Sequence, residues 1–256
     1  MIELLNGRQV DEARSAGRFV AEVLTALQER VQTGTNLLEI DAWAAEMIAD
    51  AGATSCYLDY APSFGRGPFG HVICTSVNDA VLHGLPHDYR LRRGDLLSLD
   101  FAVSVDGWVA DSAVSFTVGG VARPEDQHLI DTTRAALDAG IAAARPGAKV
   151  GDISHAVGTV LTGAGYAVNL EFGGHGVGRT MHQDPHIAND GRPGRGFVLR
   201  PGMLLAIEPW VMADTNELVV DADGWTLRSA TGGRTAHSEH TVAVTSDGPV
   251  VLTART

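Results

Sequence analysis

Two stretches of this 256-residue chain, 113 positions apart, follow one pattern, and that repeat limits the possible folds more than any other feature. TGTNLLEIDAWAAEMIADAG (Thr33 to Gly52) lies over PGAKVGDISHAVGTVLTGAG (Pro146 to Gly165) with Gly34 on Gly147, Leu37 on Val150 and Ile40 on Ile153. Ala51-Gly52 then falls on Ala164-Gly165. Two Ala-rich helices can coincide in part; matched caps at both ends favour duplication. Each stretch holds the second helix of a pair. Ala16, Phe19, Val20, Val23, Leu24, Leu27 and Val31 form the stripe of an amphipathic helix closed by Thr33-Gly34, and the next helix runs from about Glu39 to Asp50. In the second half, Gln127 to Ala144 and about Asp152 to Thr162 read the same way. Strand-like segments follow each pair. The expectation is an α+β fold of two αα-ββ units, a single domain over 1–256 with halves at about 1–120 and 121–256. Its site is expected at the seam between them.

Asp95 to Phe116, DLLSLDFAVSVDGWVADSAVSF, is two alternating apolar runs around Asp106-Gly107, the signature of a two-residue hairpin. With that turn, Val105 pairs with Trp108, Asp100 faces Ala113 and Ala102 faces Asp111. Asp100 and Asp111 then share a sheet face as diagonal neighbours, about 7–8 Å apart at the backbone. Leu97, Leu99, Phe101 and Val103 point the other way, into a core. Two acids this close among small apolar neighbours repel unless a cation lies between them; a solvated outer face is the plainer alternative.

Further candidates lie in NDAVLHGLP (Asn78 to Pro86), GGHGVGRTMHQDPH (Gly173 to His186), GMLLAIEPW (Gly202 to Trp210) and HSEHTVAV (His237 to Val244). Glu208 and Glu239 sit at the ends of apolar strands, where an unpaired carboxylate is costly to bury. Four acids and a Gly-flanked histidine are best explained together, as a metal cluster. GGHGVG lacks the spacing of a phosphate loop. Its glycines are expected to let the backbone pass close to a ligand and to expose His175. Of His175, His182 and His186, one is expected to be a ligand and another to serve acid-base or hydrogen-bonding work.

Composition narrows the partners. A net charge of −12 argues against nucleic acid, and Arg90, Arg92 and Arg93 read as a solvated turn. Two cysteines, Cys56 and Cys74, are too few for a disulfide scaffold and suit a reducing cytoplasm. No apolar run approaches the ~20 residues of a membrane span. The polar start MIELLNGRQVDEARS is unlike a signal peptide.

Taken together, these motifs resemble those of the type I methionine aminopeptidases, within the pita-bread metallopeptidases, over nearly the whole chain. The resemblance implies a curved antiparallel sheet backed by helices. It implies two divalent metal ions per chain (Co, Mn, Fe or Zn). Asp111 and Glu239 would bridge them, Asp100 would complete one site, and His175 and Glu208 the other. It implies attack by a metal-bridging hydroxide, Glu208 as proton shuttle, and His83 and His182 as substrate-facing, catalytic hydrogen-bonding groups. Phe69, Cys74, Met181 and Trp225, the last in Asp223-Gly224-Trp225, would line the pocket for the first side chain. The expected reaction is removal of N-terminal methionine from nascent polypeptides, with the ribosome one place to meet them, when the second residue is small. A monomer is expected, with no membrane or nucleic-acid partner.

The sequence departs from the family in the Pro62 to Val72 segment, where Arg66 takes a position often aromatic, and at Met181, where an aromatic is common. The alternative is a Xaa-Pro dipeptidase or aminopeptidase P, which share the fold and metal set. Those usually carry an extra N-terminal domain, for which this chain has no room; the minimal bacterial form is expected. A relative that had lost catalysis would lack ligands, and all five are present.

Overall fold

The computed structural model describes residues 2–62, 66–120 and 123–255. Part of the Pro62 to Val72 segment, 63–65, lies outside them, as does the expected boundary between halves at 121. The helices are α1 (Gly7–Arg30), α2 (Leu37–Asp50), α3 (Pro124–Ala143) and α4 (Val150–Gly163). The first half carries β1 (Thr54–Ser55), β2 (Cys74–Val77), β3 (Ala80–Leu82), β4 (Leu96–Val105) and β5 (Trp108–Thr117). The second carries β6 (Gly174–Gly176), β7 (Gln183–Ile187), β8 (Leu204–Ile207), β9 (Trp210–Met212) and β10 (Leu218–Val220). It ends with β11 (Leu227–Ser229), β12 (Thr235–His237), β13 (His240–Thr245) and β14 (Gly248–Val251).

The repeat recurs bond for bond at the two helix corners. Glu39 accepts the backbone N–H of Asn36 at 2.7 Å, and Asp152 accepts that of Lys149 at 2.7 Å, so each second helix starts with its N-cap N–H satisfied. Gly34 (φ 94°) donates to the carbonyl of Leu91 and Gly147 (φ 87°) to that of Leu199. The first helix departs from expectation. It begins nine residues before Ala16, because Asn6 and Gln9 form a capping box and buried Val10 and Ala13 extend the apolar stripe. It also ends at Arg30, ahead of Thr33-Gly34.

The hairpin has the register read from the turn: Val105 pairs with Trp108, Asp100 with Ala113 and Ala102 with Asp111. Asp106 (φ 52°) and Gly107 (φ 75°) both occupy the left-handed region, as a type I′ turn requires. Leu97, Leu99, Phe101 and Val103 are fully buried against α1 and α2, each worth about 1.5–3 kcal/mol. In the second unit the corresponding strands, β8 and β13, pair antiparallel from Ile207–His240 to Leu204–Ala243. Where β4 and β5 are joined by two residues, these are joined by an excursion through 208–239 that builds β9 to β12.

Among the described residues there are four sheets, β10-β11-β3 and β12-β9 being the small ones; the two larger, β1-β4-β2 with β5 on β4 and β14-β13-β8-β6-β7, meet along β5. The Thr241 hydroxyl accepts from the N–H of Asp111 (2.9 Å) and donates to its carbonyl (2.8 Å). Glu239 N–H donates to the carbonyl of Ala113, and Ser112 Oγ to that of Glu239. Ser115 Oγ accepts from His237 N–H and donates to its carbonyl, both at 2.8 Å. Buried hydroxyls thus do across the seam what a ladder of amides does within a sheet.

Candidate metal centre

The seam brings the five acid and imidazole residues named above to one cavity. Asp100 and Asp111 come from β4 and β5, His175 from β6, Glu208 from the end of β8, and Glu239 from just before β13. Asp111, His175 and Glu239 are buried, and one ligand atom from each lies within 4.8 Å of the other two. His175 Nε2 stands 3.5 Å from Glu208 Oε1 and 3.9 Å from Asp111 Oδ2. Its Nδ1 lies 3.0 Å from the carbonyl of Gly176. A carbonyl only accepts, so Nδ1 carries the proton and the Nε2 lone pair faces the acids.

The electrostatics are those of a cation site. Burial pushes Asp100 up from 3.8 to about 6, and burial with the charge of Asp100 pushes Glu208 from 4.5 to about 8. Asp111 and Glu239 are raised well above the carboxylate range by burial and by the neighbouring acids. Burial takes His175 down from 6.5 to about 3, with His182 adding to the effect. Four acids that cannot all ionise alone, beside a neutral imidazole, are stabilised in their charged forms by a divalent cation. Glu239 Oε1 is buried with no hydrogen-bond partner among the described residues, which costs about 1–3 kcal/mol unless something else binds it. An oxygen-rich set without thiolate fits a divalent metal.

Gly174 and Gly176 have a different purpose from the one expected. A Cβ at Gly174 would fall on the carbonyl oxygen of Ala206, and one at Gly176 on that of Asp184. The glycines admit neighbouring strands, and they bury His175 rather than expose it. His182 lies at the cavity's outer side, its ring 4.3 Å from that of His175; His186 is exposed and outside the cavity. His83 directly follows β3 and lies in the left-handed region (φ 55°), its ring edge-on to Phe172 and Trp225. Burial, aided by His182, takes it from 6.5 to about 4, so it is neutral.

Phe69, Cys74, Met181 and Trp225 line the same cavity. The Phe69 and Trp225 rings stand perpendicular at 5.2 Å. Arg66 is exposed and its stem lies against Gly224, outside the lining. Sequence reasoning missed Tyr57, Tyr60 and Leu82, which also line the cavity. Tyr60 packs on His182 (5.4 Å) and Trp225 (6.2 Å); Tyr57 donates to Asp100 Oδ1 at 2.7 Å. The available signal was two tyrosines three apart. They precede the Pro62 to Val72 segment, where the aromatic positions are expected.

A fold of two αα-ββ units with acids and an imidazole gathered at their seam defines a metal-dependent hydrolase class. The chain belongs to metallopeptidase family M24, whose model matches residues 11–246. It is 40% identical to the methionine aminopeptidase of Aquifex aeolicus over 98% of both chains. It is 41% identical to methionine aminopeptidase 1 of Mycobacterium tuberculosis, over 96% of this chain and 92% of that one. The crystal structure of methionine aminopeptidase from Thermotoga maritima superposes with a TM-score of 0.94 at 34% identity, covering 100% of each chain. A Xaa-Pro dipeptidase from Bacillus anthracis, 20% identical with a TM-score of 0.79, shares the fold over 99% of this chain and 62% of its own. Among the described residues, no helix is long and apolar enough to cross a membrane.

Proposed function

We propose that this chain removes the N-terminal methionine of nascent polypeptides whose second residue is small. One observation carries the reading: the acid-imidazole cluster shares one cavity with Phe69, Cys74, Met181 and Trp225. A methionine side chain is long, unbranched and polarizable, and suits a lining of sulfur and aromatic groups. Asp100, Asp111, His175, Glu208 and Glu239 would hold two divalent cations, Mn(II), Fe(II), Co(II) or Zn(II). When bound, these supply a water of lowered pKa and polarise the scissile carbonyl.

The chain's own groups do the rest. The Glu208 carboxylate takes the proton of the attacking water and returns it to the leaving amine. His83 and His182 donate hydrogen bonds to the substrate carbonyl as its oxygen gains charge. The aromatic wall excludes water from the first side chain and fixes the scissile bond over the acids.

The test is kcat/KM on the peptide series Met-X-Ser and Ala-X-Ser, with Xaa-Pro peptides alongside. Hydrolysis of Met-X-Ser confined to X = Gly, Ala, Ser, Thr, Pro, Val or Cys is expected. Equal release of Met, Leu, Ala and Lys would make this a broad aminopeptidase. Preferential cleavage before proline after many first residues would favour the Xaa-Pro alternative.

A further inference from the structure

His237 ends β12, paired with Trp210, and the reaction proposed above gives it no role. Its side chain is 2% exposed, and its Nε2 is buried with no hydrogen-bond partner among the described residues. That nitrogen lies 3.9 Å from Glu208 Oε2 and 3.9 Å from Glu239 Oε2. Both separations are too long for hydrogen bonds. Each is short enough for the two groups concerned to bind one ion, since donors bound at about 2.1 Å lie no more than about 4.2 Å apart. The other oxygen of Glu208 faces His175 at 3.5 Å, so this carboxylate sits between two imidazoles, one to each oxygen. The two hydrogen bonds between Ser115 and the His237 backbone fix the residue at the seam.

We infer that His237 is a sixth ligand of the metal centre, binding through Nε2 the ion that Glu208 holds. The inference rests on the reading of this cluster as a divalent-metal centre. A second imidazole makes that position richer in nitrogen and shifts its preference from Mn(II) toward Zn(II), Co(II) and Fe(II).

The experiment uses the full chain, stripped of metal and reloaded with two equivalents of Co(II). Each coordinated histidine gives one strongly shifted, solvent-exchangeable imidazole N–H resonance in the proton NMR spectrum. Two such resonances are expected in the parent and one in His237→Gln. By titration calorimetry, that variant should also lose about ten- to a hundredfold in affinity for one of its two ions. A single shifted resonance in the parent overturns the inference without recourse to any variant. So does a His237→Gln protein that matches the parent in resonances and affinities. Asp111→Ala separates this failure from that of the underlying reading. A parent that binds no Co(II), or an Asp111→Ala protein that still binds two ions as the parent does, overturns the metal centre and the role of His237 with it.

Discussion

Stripping the metal should turn the buried acids into a pH-dependent liability. Glu208 is raised from 4.5 to about 8, and its side chain is 13% exposed. Between those values the metal-free native state holds a proton that the unfolded chain has released. Stability then falls as pH rises, by about 1.4 kcal/mol per pH unit for each such acid, and levels off above the folded value. From pH 6.5 to 8.0, Glu208 alone contributes a loss of about 2 kcal/mol. Asp111 and Glu239, raised well above their usual range, steepen it. The buried histidines act in the opposite sense and in a lower window. His83 falls to about 4, and His175, His237 and His240 to about 3, so their contribution is present above 6.5 and lost as pH falls below it. Metal-free protein is therefore expected to be most stable near pH 6.5. Metal-loaded protein, its acids ionised by the cations, should show a flat profile from pH 6.5 to 8.0. Urea unfolding of chelator-treated and reloaded protein at pH 6.5, 7.25 and 8.0 measures both slopes. Calorimetry in two buffers of different ionisation enthalpy measures the protons released on loading. Parallel slopes with and without metal, or loading at pH 7 without proton release, would refute the argument.

Asp111→Ala or Glu239→Ala should remove a bridge between the ions and abolish both metal retention and activity; full occupancy by elemental analysis in either variant contradicts the dinuclear arrangement. His182→Ala should lower kcat by on the order of 10²–10³ with metal content unchanged; metal lost in proportion to rate would make His182 a ligand. Gly107→Val places a β-branched residue at φ 75° in the hairpin turn and should cost about 1–2 kcal/mol in urea unfolding; an unchanged midpoint would mean that the turn relaxes to another type.

How much of this could be read before the fold was seen varies by residue. Asp100 and Asp111 were related by a local rule, because a two-residue turn fixes the register of the strands on either side, and the observed pairing agrees at every position. The helix caps at Gly34 and Gly147 were equally local. The start of α1 was not found, since its first turns carry only Val10 and Ala13 on the buried face and their signal lay in the Asn6–Gln9 capping box. Tyr57 and Tyr60 escaped because their distance along the chain from Cys74 says nothing about their distance in space. His237 stood in a segment already singled out, but nothing in HSEHTVAV shows which side chain faces the acids.

The sequence by itself determined the helix pairs and the hairpin register, because turn chemistry, capping and hydrophobic period act over a few residues and leave their pattern in the chain; the family showed only as a resemblance of its motifs. Only the tertiary structure decided that β5 meets the 235–241 run through Thr241, Ser112 and Ser115. It alone showed that Glu208 lies between two imidazoles, and that the glycines around His175 serve strand packing. Those relations join residues as much as 130 positions apart. They depend on how two separately built sheets come to rest on each other, which no local rule of the chain encodes.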